Sequence, residues 1–563
     1  MDQQPRPAQP ISSAEQIFVL VAAIIALTGF FLPWVVGLQS EFLERGNATG
    51  YDLAAGGAPA LWITPVCFAI GFFLVIAQMS GYHRRFARLI AVLGICSMAV
   101  PIALYVYEAV RYPNSAALSR IPWPQLRFTW GFFVSLLGSL GIGMGGLLMT
   151  IRDQRSTAQE TEPGFPRGSA WNWLAMAVFC LPMFVVAFQA GAHGILLVLI
   201  QRDLAMSSSK VSQSFLWYLV AFAVGAPIAG FLIDRVGLRL GSCVSILLLS
   251  VAEIMAAMTR TQTGLLAANA LRGLAAGAAL PLAAKAAAKL LPGDERILGA
   301  ALWGYLYTIG TSAAAWAHDI AQAYGWRNVF YVIAAAAVLL AILAYALAGR
   351  GPNRDQRQFF VMSPALPILI ALFALATILT SMLSALAASY VSDMHASLAS
   401  FTTIFYPRPF CQGLGALLGV ASVIGLATGG SRNRAWANPI ALAAVAGLML
   451  LAAILLFVRT VPMAALAFNL IAMGAGALSA IVLANALDVV PQRFAAFAIS
   501  MFTLGSTAAW LGVEYLLGES LDRQAVALGF PINITGCALG LVVLSFVLRF
   551  VVTPRPIVQF VRR

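Results

Sequence analysis

Sixteen stretches of this 563-residue chain stay apolar for roughly 20 residues each, the length a helix needs to cross a hydrocarbon core. A bilayer offers no water to backbone N–H and C=O groups, so such segments must be helices that bond within themselves. Composition agrees, with 61% of residues hydrophobic and 10% charged, more apolar surface than a soluble fold could cover. The expected fold class is an all-α polytopic membrane protein.

The net charge of +13 calls for no nucleic-acid partner, because Lys and Arg gather in short loops on the cytoplasmic side of membrane proteins. Four spans come first, near 16–37, 59–80, 88–109 and 128–151. The loop after the first carries Glu41, Glu44 and Asp52, and the loop after the second carries Arg84, Arg85 and Arg88. That asymmetry puts the N-terminus and the second loop inside. Twelve further spans follow, near 172–200, 213–233, 239–258, 264–288, 297–317, 328–348, 363–389, 409–428, 437–457, 462–486, 494–517 and 530–551. With this count, most of the 34 Lys and Arg and the C-terminus fall on the cytoplasmic side.

Soluble-enzyme signatures are missing. The sequence has no G-x-x-x-x-G-K-[ST], H-E-x-x-H or G-x-S-x-G pattern, so neither catalysis nor a cofactor is expected. Six cysteines lie in or beside apolar spans without a C-x-x-C pair, and no metal site is indicated. The run Gly141–Gly146, GIGMGG, looks like a dinucleotide fingerprint but sits in no strand–helix unit; small residues there suit close helix packing.

Between two later spans lies Gly225–Gly241, GAPIAGFLIDRVGLRLG. Its glycines permit close approach and positive φ, and Asp234 and Arg235 stand at the water boundary, where charge is tolerated. The spacing Gly230-x-x-x-Asp234-Arg235-x-Gly237-x-Arg239 resembles the signature loop between helices 2 and 3 of the major facilitator superfamily, with Leu238 where a second basic residue is usual. Further on, the stretch from Asn269 through Arg272, Gly273 and Gly277 to Pro281 is similar to the family's fourth-helix pattern in drug:proton antiporters. Trp303-Gly304 and Trp326–Phe330 also look like that branch. The resemblance covers helices 2 to 6 of the later twelve; beyond them it is one of hydropathy.

This resemblance implies a 6+6 helix core; the four apolar spans before it are additional helices outside the family's usual core. The implied division is a disordered tail at 1–13, a four-helix membrane domain at 14–152, a cytoplasmic linker at 153–170, six-helix halves at 171–349 and 363–552, a cytoplasmic loop at 350–362 and a basic tail at 553–563. It also implies that Gly230, Asp234, Arg235, Gly237 and Arg239 form a conformational latch. Several family positions differ. Asn269 stands at the usual arginine, with Arg272 one helical turn on; the fifth-helix Pro-Gly bend is absent after Gly310; and the first helix offers Gln189 and His193 where an aspartate is usual. Gln189, His193, Glu253, Asn269 and Arg272 are therefore the candidates for substrate or proton coupling.

Charges inside a span are costly and normally face a cavity or each other. Glu253 and Arg272 lie about 8 and about 10 residues from the turn that joins their helices, so at about 1.5 Å per residue their depths differ by about 3 Å. Opposite charges at matched depth can pair. Lys285 and Lys289, near a helix end, are expected to snorkel to water.

The expected function is export of lipophilic or amphiphilic small molecules by alternating access in a bacterial-type inner membrane, with protons as the candidate coupling ion. Transport of a lipid or lipid-like metabolite, and a non-transporting assembly or docking role, are the alternatives. The expected partners are membrane lipid, the substrate, protons and a membrane protein docked on the first four helices.

Overall fold

The computed structural model describes residues 13–36, 47–56, 58–79, 86–111, 127–158, 170–292, 295–347, 363, 365–393, 408–427, 431–520 and 523–551. The expected tails, most of the linker and the loop with Arg350, Arg354 and Arg357 lie outside these residues.

The first unit holds α1 (Ser13–Phe31), β1 (Pro33–Val36), β2 (Asn47–Thr49), α2 (Gly50–Gly56), α3 (Ile63–Met79), α4 (Ala87–Arg111), β3 (Arg127–Phe128) and α5 (Trp130–Ala158). Its strands form a small antiparallel sheet in the order β2-β1-β3, which apolarity alone did not reveal. The expected first span ran to residue 37, but α1 stops at Phe31 because Pro33 lacks an N–H and disfavours helical backbone before it. Trp34 then turns inward, 2% exposed, and its indole N–H donates to the Gly29 carbonyl at 2.8 Å.

Helix α5 is the post of this unit, packed on both α1 and α4. Glycines make that contact possible. A Cβ on Gly146 would sit 2.3 Å from the backbone nitrogen of Ala91 on α4, closer than atoms can approach.

The later helices fall into two sets of six spans. The first comprises α6 (Ala170–Asp203), α7 (Ser208–Val236), α8 (Leu238–Met258), α9 (Gln262–Ala276) with α10 (Ala279–Leu290), α11 (Arg296–Ala313) with α12 (Trp316–Tyr324), and α13 (Trp326–Leu347). The second comprises α14 (Ala365–Asp393), α15 (Arg408–Ala427), α16 (Ser431–Phe457), α17 (Val461–Val489), α18 (Ala495–Ser520) and α19 (Arg523–Val551). The break between α9 and α10 has a local cause: Pro281 has no N–H for the Gly277 carbonyl one turn back.

Fifteen helical stretches among the described residues are long and apolar enough to cross a membrane. The other expected span, 297–317, is α11, which carries Arg296, Tyr305 and Tyr307. It packs against α6, α15 and α17 in the interior, so it has little need of an apolar surface.

The two halves repeat one packing scheme. Pairs α7–α9, α8–α13 and α6–α11 in the first are matched by α15–α17, α16–α19 and α14–α18 in the second. Between halves, α7 crosses α18 and α11 crosses α15, which the same exchange relates to one another. Helices α8, α13, α16 and α19 turn apolar side chains outward, with Val244, Ile342, Ile454 and Val543 each more than 60% exposed. Lipid, not water, suits such a surface. The first unit leans on both halves, through α4 on α15 and α17 and through α5 on α11 and α15.

Close α4–α5 packing makes Gly146→Ala a sensitive test. The extra methyl must push two backbones apart, an overpacking cost of about 1–3 kcal/mol. Thermal melting of the purified protein should shift down; a curve superimposable on wild type would mean that α5 does not depend on this contact.

Candidate functional site

Asp234 ends the last turn of α7, and Gly237 (φ 91°) closes that helix in a conformation glycine adopts without strain. The Asp234 carboxylate turns towards the other half. Lys285 Nζ of α10 donates to Oδ1 at 2.6 Å, while the backbone N–H groups of Ala496 and Phe497 donate to Oδ1 and Oδ2 at 3.3 and 2.8 Å. These amides belong to the first turn of α18, where unpaired N–H groups and the helix dipole favour an anion. Lys285 completes the knot by donating to the carbonyls of Gln492 and Arg493 at 2.9 and 2.8 Å.

The expectation that Lys285 snorkels to water is thus corrected. It is 7% exposed, and a carboxylate with two carbonyls supplies what water would have supplied. Gly230 lies one turn before Asp234, and a Cβ there would sit 2.7 Å from the Ala496 carbonyl oxygen, so glycine is what lets α7 and α18 touch. The other two latch candidates stay within the first half. Arg239 donates to the Tyr345 carbonyl at 3.1 Å and stacks on that ring, and Arg235 is exposed beside Phe231.

A second polar group lies inside the first half. Arg272 Nε donates to Glu253 Oε1 at 2.9 Å, with both side chains buried. The guanidinium also donates to Asn269 Oδ1 at 2.7 Å and rests over the Phe330 ring at 4.7 Å. Asn269 in turn donates to Ser214 Oγ at 3.1 Å. Helices α8, α9 and α13 therefore meet on one cation, and α7 joins them through Asn269. Matched depth had indicated the ion pair; Ser214 and Phe330 carried no sequence signal, since nothing local marks which face of α7 or α13 turns inward.

Gln189 and His193 stand one turn apart on α6 and are buried. His193 stacks on Phe215, which continues through Tyr218 to Phe222 as a ladder of near-parallel rings along α7. Phe215 adjoins Ser214 in the chain, so the ladder starts beside the Asn269–Arg272 group. Among the described residues, both amide atoms of Gln189, Nε2 of His193 and Oε2 of Glu253 have no hydrogen-bond partner. Buried groups left so carry a desolvation penalty that a ligand or proton could relieve. Phe215 also meets Trp510 of α18 edge-on, which brings the second half to the same place.

Repeated halves, one helix pair crossing in each direction and an acid-capped hairpin coincide with a profile match to the Major Facilitator Superfamily over residues 179–513. The chain belongs to that superfamily. Among solved structures, the human organic anion transporter MFSD10 (TETRAN) shares this facilitator's fold, with a TM-score of 0.50 at 13% identity over 69% of this chain and 100% of that one. A curated relative, the multidrug transporter protein MdtP of Bacillus subtilis (strain 168), is 28% identical over 154 residues. That alignment takes in 26% of this facilitator and 28% of the relative.

Removing one partner from a desolvated ion pair costs about 3–5 kcal/mol, and about 1.4 kcal/mol already shifts an equilibrium tenfold. Asp234→Asn should therefore leave a folded facilitator whose hairpin side opens more often. A Ser500→Cys reporter, buried where α18 meets α7, should then react with a water-soluble maleimide at least about tenfold faster in a chain otherwise free of cysteine. Equal rates with Asp234 and with Asn would show that the carboxylate does not hold this side shut.

Proposed function

We infer that this facilitator is a secondary active exporter of lipophilic or amphiphilic small molecules, coupled to protons, with its hairpin side facing the cytoplasm of a bacterial-type inner membrane. The observation that carries this proposal is the pairing of two polar groups with different tasks. One, at Asp234 and Lys285, ties the halves together at the hairpin side. The other, at Glu253, Arg272, Gln189 and His193, offers buried polar atoms beside an aromatic wall in the interior.

With the hairpin side tied and the interior group buried, the halves must part on the opposite side before that group is reached. Rocking of the two halves about the α7–α18 and α11–α15 crossings then exposes it to each side in turn. The aromatic ladder gives an apolar substrate flat surfaces to pack on. A proton on Glu253 would neutralise the partner of Arg272 and release the guanidinium towards the substrate. The multidrug name of the Bacillus subtilis relative favours export and a broad substrate range, and the basic short loops favour a cytoplasmic hairpin.

Transport into proteoliposomes, with and without an imposed proton gradient, tests this with a panel of fluorescent amphiphiles. Wild type should move at least one of them against its concentration gradient only when the proton gradient is present. Glu253→Gln should abolish that coupling while substrate affinity stays within about threefold, since an interaction that serves coupling need not serve binding. Intact coupling in Glu253→Gln would remove the carboxylate from the mechanism, and a panel left wholly unmoved would sink the export reading.

A further inference from the structure

The segment that joins α10 to α11 is held from two neighbouring elements. From α6, Asn172 donates to the Leu290 carbonyl at 3.1 Å and Trp173 donates its indole N–H to Glu295 Oε2 at 3.0 Å. From the added unit, Arg152 of α5 donates to Glu295 Oε1 and Oε2 at 3.0 and 3.3 Å. Glu295 is fully buried, so protein donors must serve its carboxylate in place of water.

The next residue, Arg296, reaches two helix ends from this fixed footing. Its guanidinium donates to the carbonyls of Ala288 and Leu291, at the end of α10, at 3.3 Å each. It also donates to the Leu487 carbonyl, in the last turn of α17, at 3.5 Å. Helix α10 continues α9, which α17 matches in the other half. A helix C-terminus carries about −0.5 elementary charge, so two such ends brought together repel each other. A guanidinium bonded to both offsets that repulsion, and it does so only while the halves are closed on this side.

The same stretch carries the knot. Lys285 lies one turn before Ala288 on α10, and its ammonium donates to the carbonyls of Gln492 and Arg493 in the link between α17 and α18. Lys285 and Arg296 therefore reach the second half from either end of one short stretch of the first. The added unit grips that stretch at Glu295.

We propose that Arg152 and Arg296 are positioning residues for the transport cycle, and that the four-helix unit acts through them to favour the state closed on the hairpin side. Arg152 fixes Glu295; Glu295 sets where Arg296 and the end of α10 stand; Arg296 and Lys285 then meet the second half. This gives the added unit a regulatory task outside the substrate path. It rests on the reading that the halves part on the hairpin side during transport.

Two cysteine reporters in the full-length, otherwise cysteine-free chain test it by their rates of reaction with a water-soluble maleimide in lipid nanodiscs. Ser500→Cys reports the hairpin side. Thr507→Cys, buried about two turns further along α18, reports the opposite side. Arg152→Met and Arg296→Met should each speed the first reporter roughly tenfold, the effect of losing a charge-assisted contact, and slow the second, because a two-state equilibrium opens one side at the expense of the other. A general loosening of the fold would speed both reporters and overturn the proposal. So would a wild-type rate at Ser500→Cys in either variant, and Arg296→Met keeps the test decisive if Arg152→Met fails to fold. Asp234→Asn separates the two readings. If it speeds Ser500→Cys while Arg152→Met does not, only the task of the added unit falls; if it too leaves the rate unchanged, the hairpin-side reading falls and takes this proposal with it.

Discussion

A charged group in an apolar interior must find partners, and where it finds them decides which helices are held together. Asp234 finds its donors on two segments, α10 and the first turn of α18, which lie in different halves of the molecule. Exclusion of water strengthens this tie, and in the proposed transport cycle each donor has water as an alternative partner once the halves part. That is the balance a transporter needs between closed and open states.

Desolvation shapes the rest of the molecule in the same way. Arg272 lies inside one half and binds Glu253 and Asn269, so it stiffens that half without tying it to the other. Arg152 joins the added unit to the core loop at Glu295, on the hairpin side. At the opposite end the joint is aromatic. Phe132 and Phe133 pack on Phe410 of the second half, and Phe133 also packs on Trp316 of the first. The added unit is thus fastened to one half by charge and to both halves by rings.

Much of this was legible in the sequence because the bilayer imposes a simple rule on it. Long apolar runs located the spans, and the Asp234-Arg235 hairpin located the core's first half. Depth counting along two antiparallel helices anticipated the Glu253–Arg272 pair. What stayed hidden depends on partners far away in the chain. Ala496 lies 262 residues beyond Asp234, and nothing local announces that its N–H will meet that carboxylate. Lys285 looked like a residue near water because hydropathy records depth but not neighbours. The β1 strand was read as helix because Trp34, Val35 and Val36 are as apolar as a span; Pro33 was the local sign that the helix had ended.

In the proposed cycle the Asp234–Lys285 knot sets the distance between the halves on the hairpin side. Spin labels at Leu240 and Gln492, both exposed and on different halves, report that distance directly in lipid nanodiscs by pulsed electron–electron resonance. One dominant short distance is expected in the otherwise wild-type chain, and a second, longer population when Lys285→Met removes the ammonium. A distribution that stays single and short without the ammonium would contradict it.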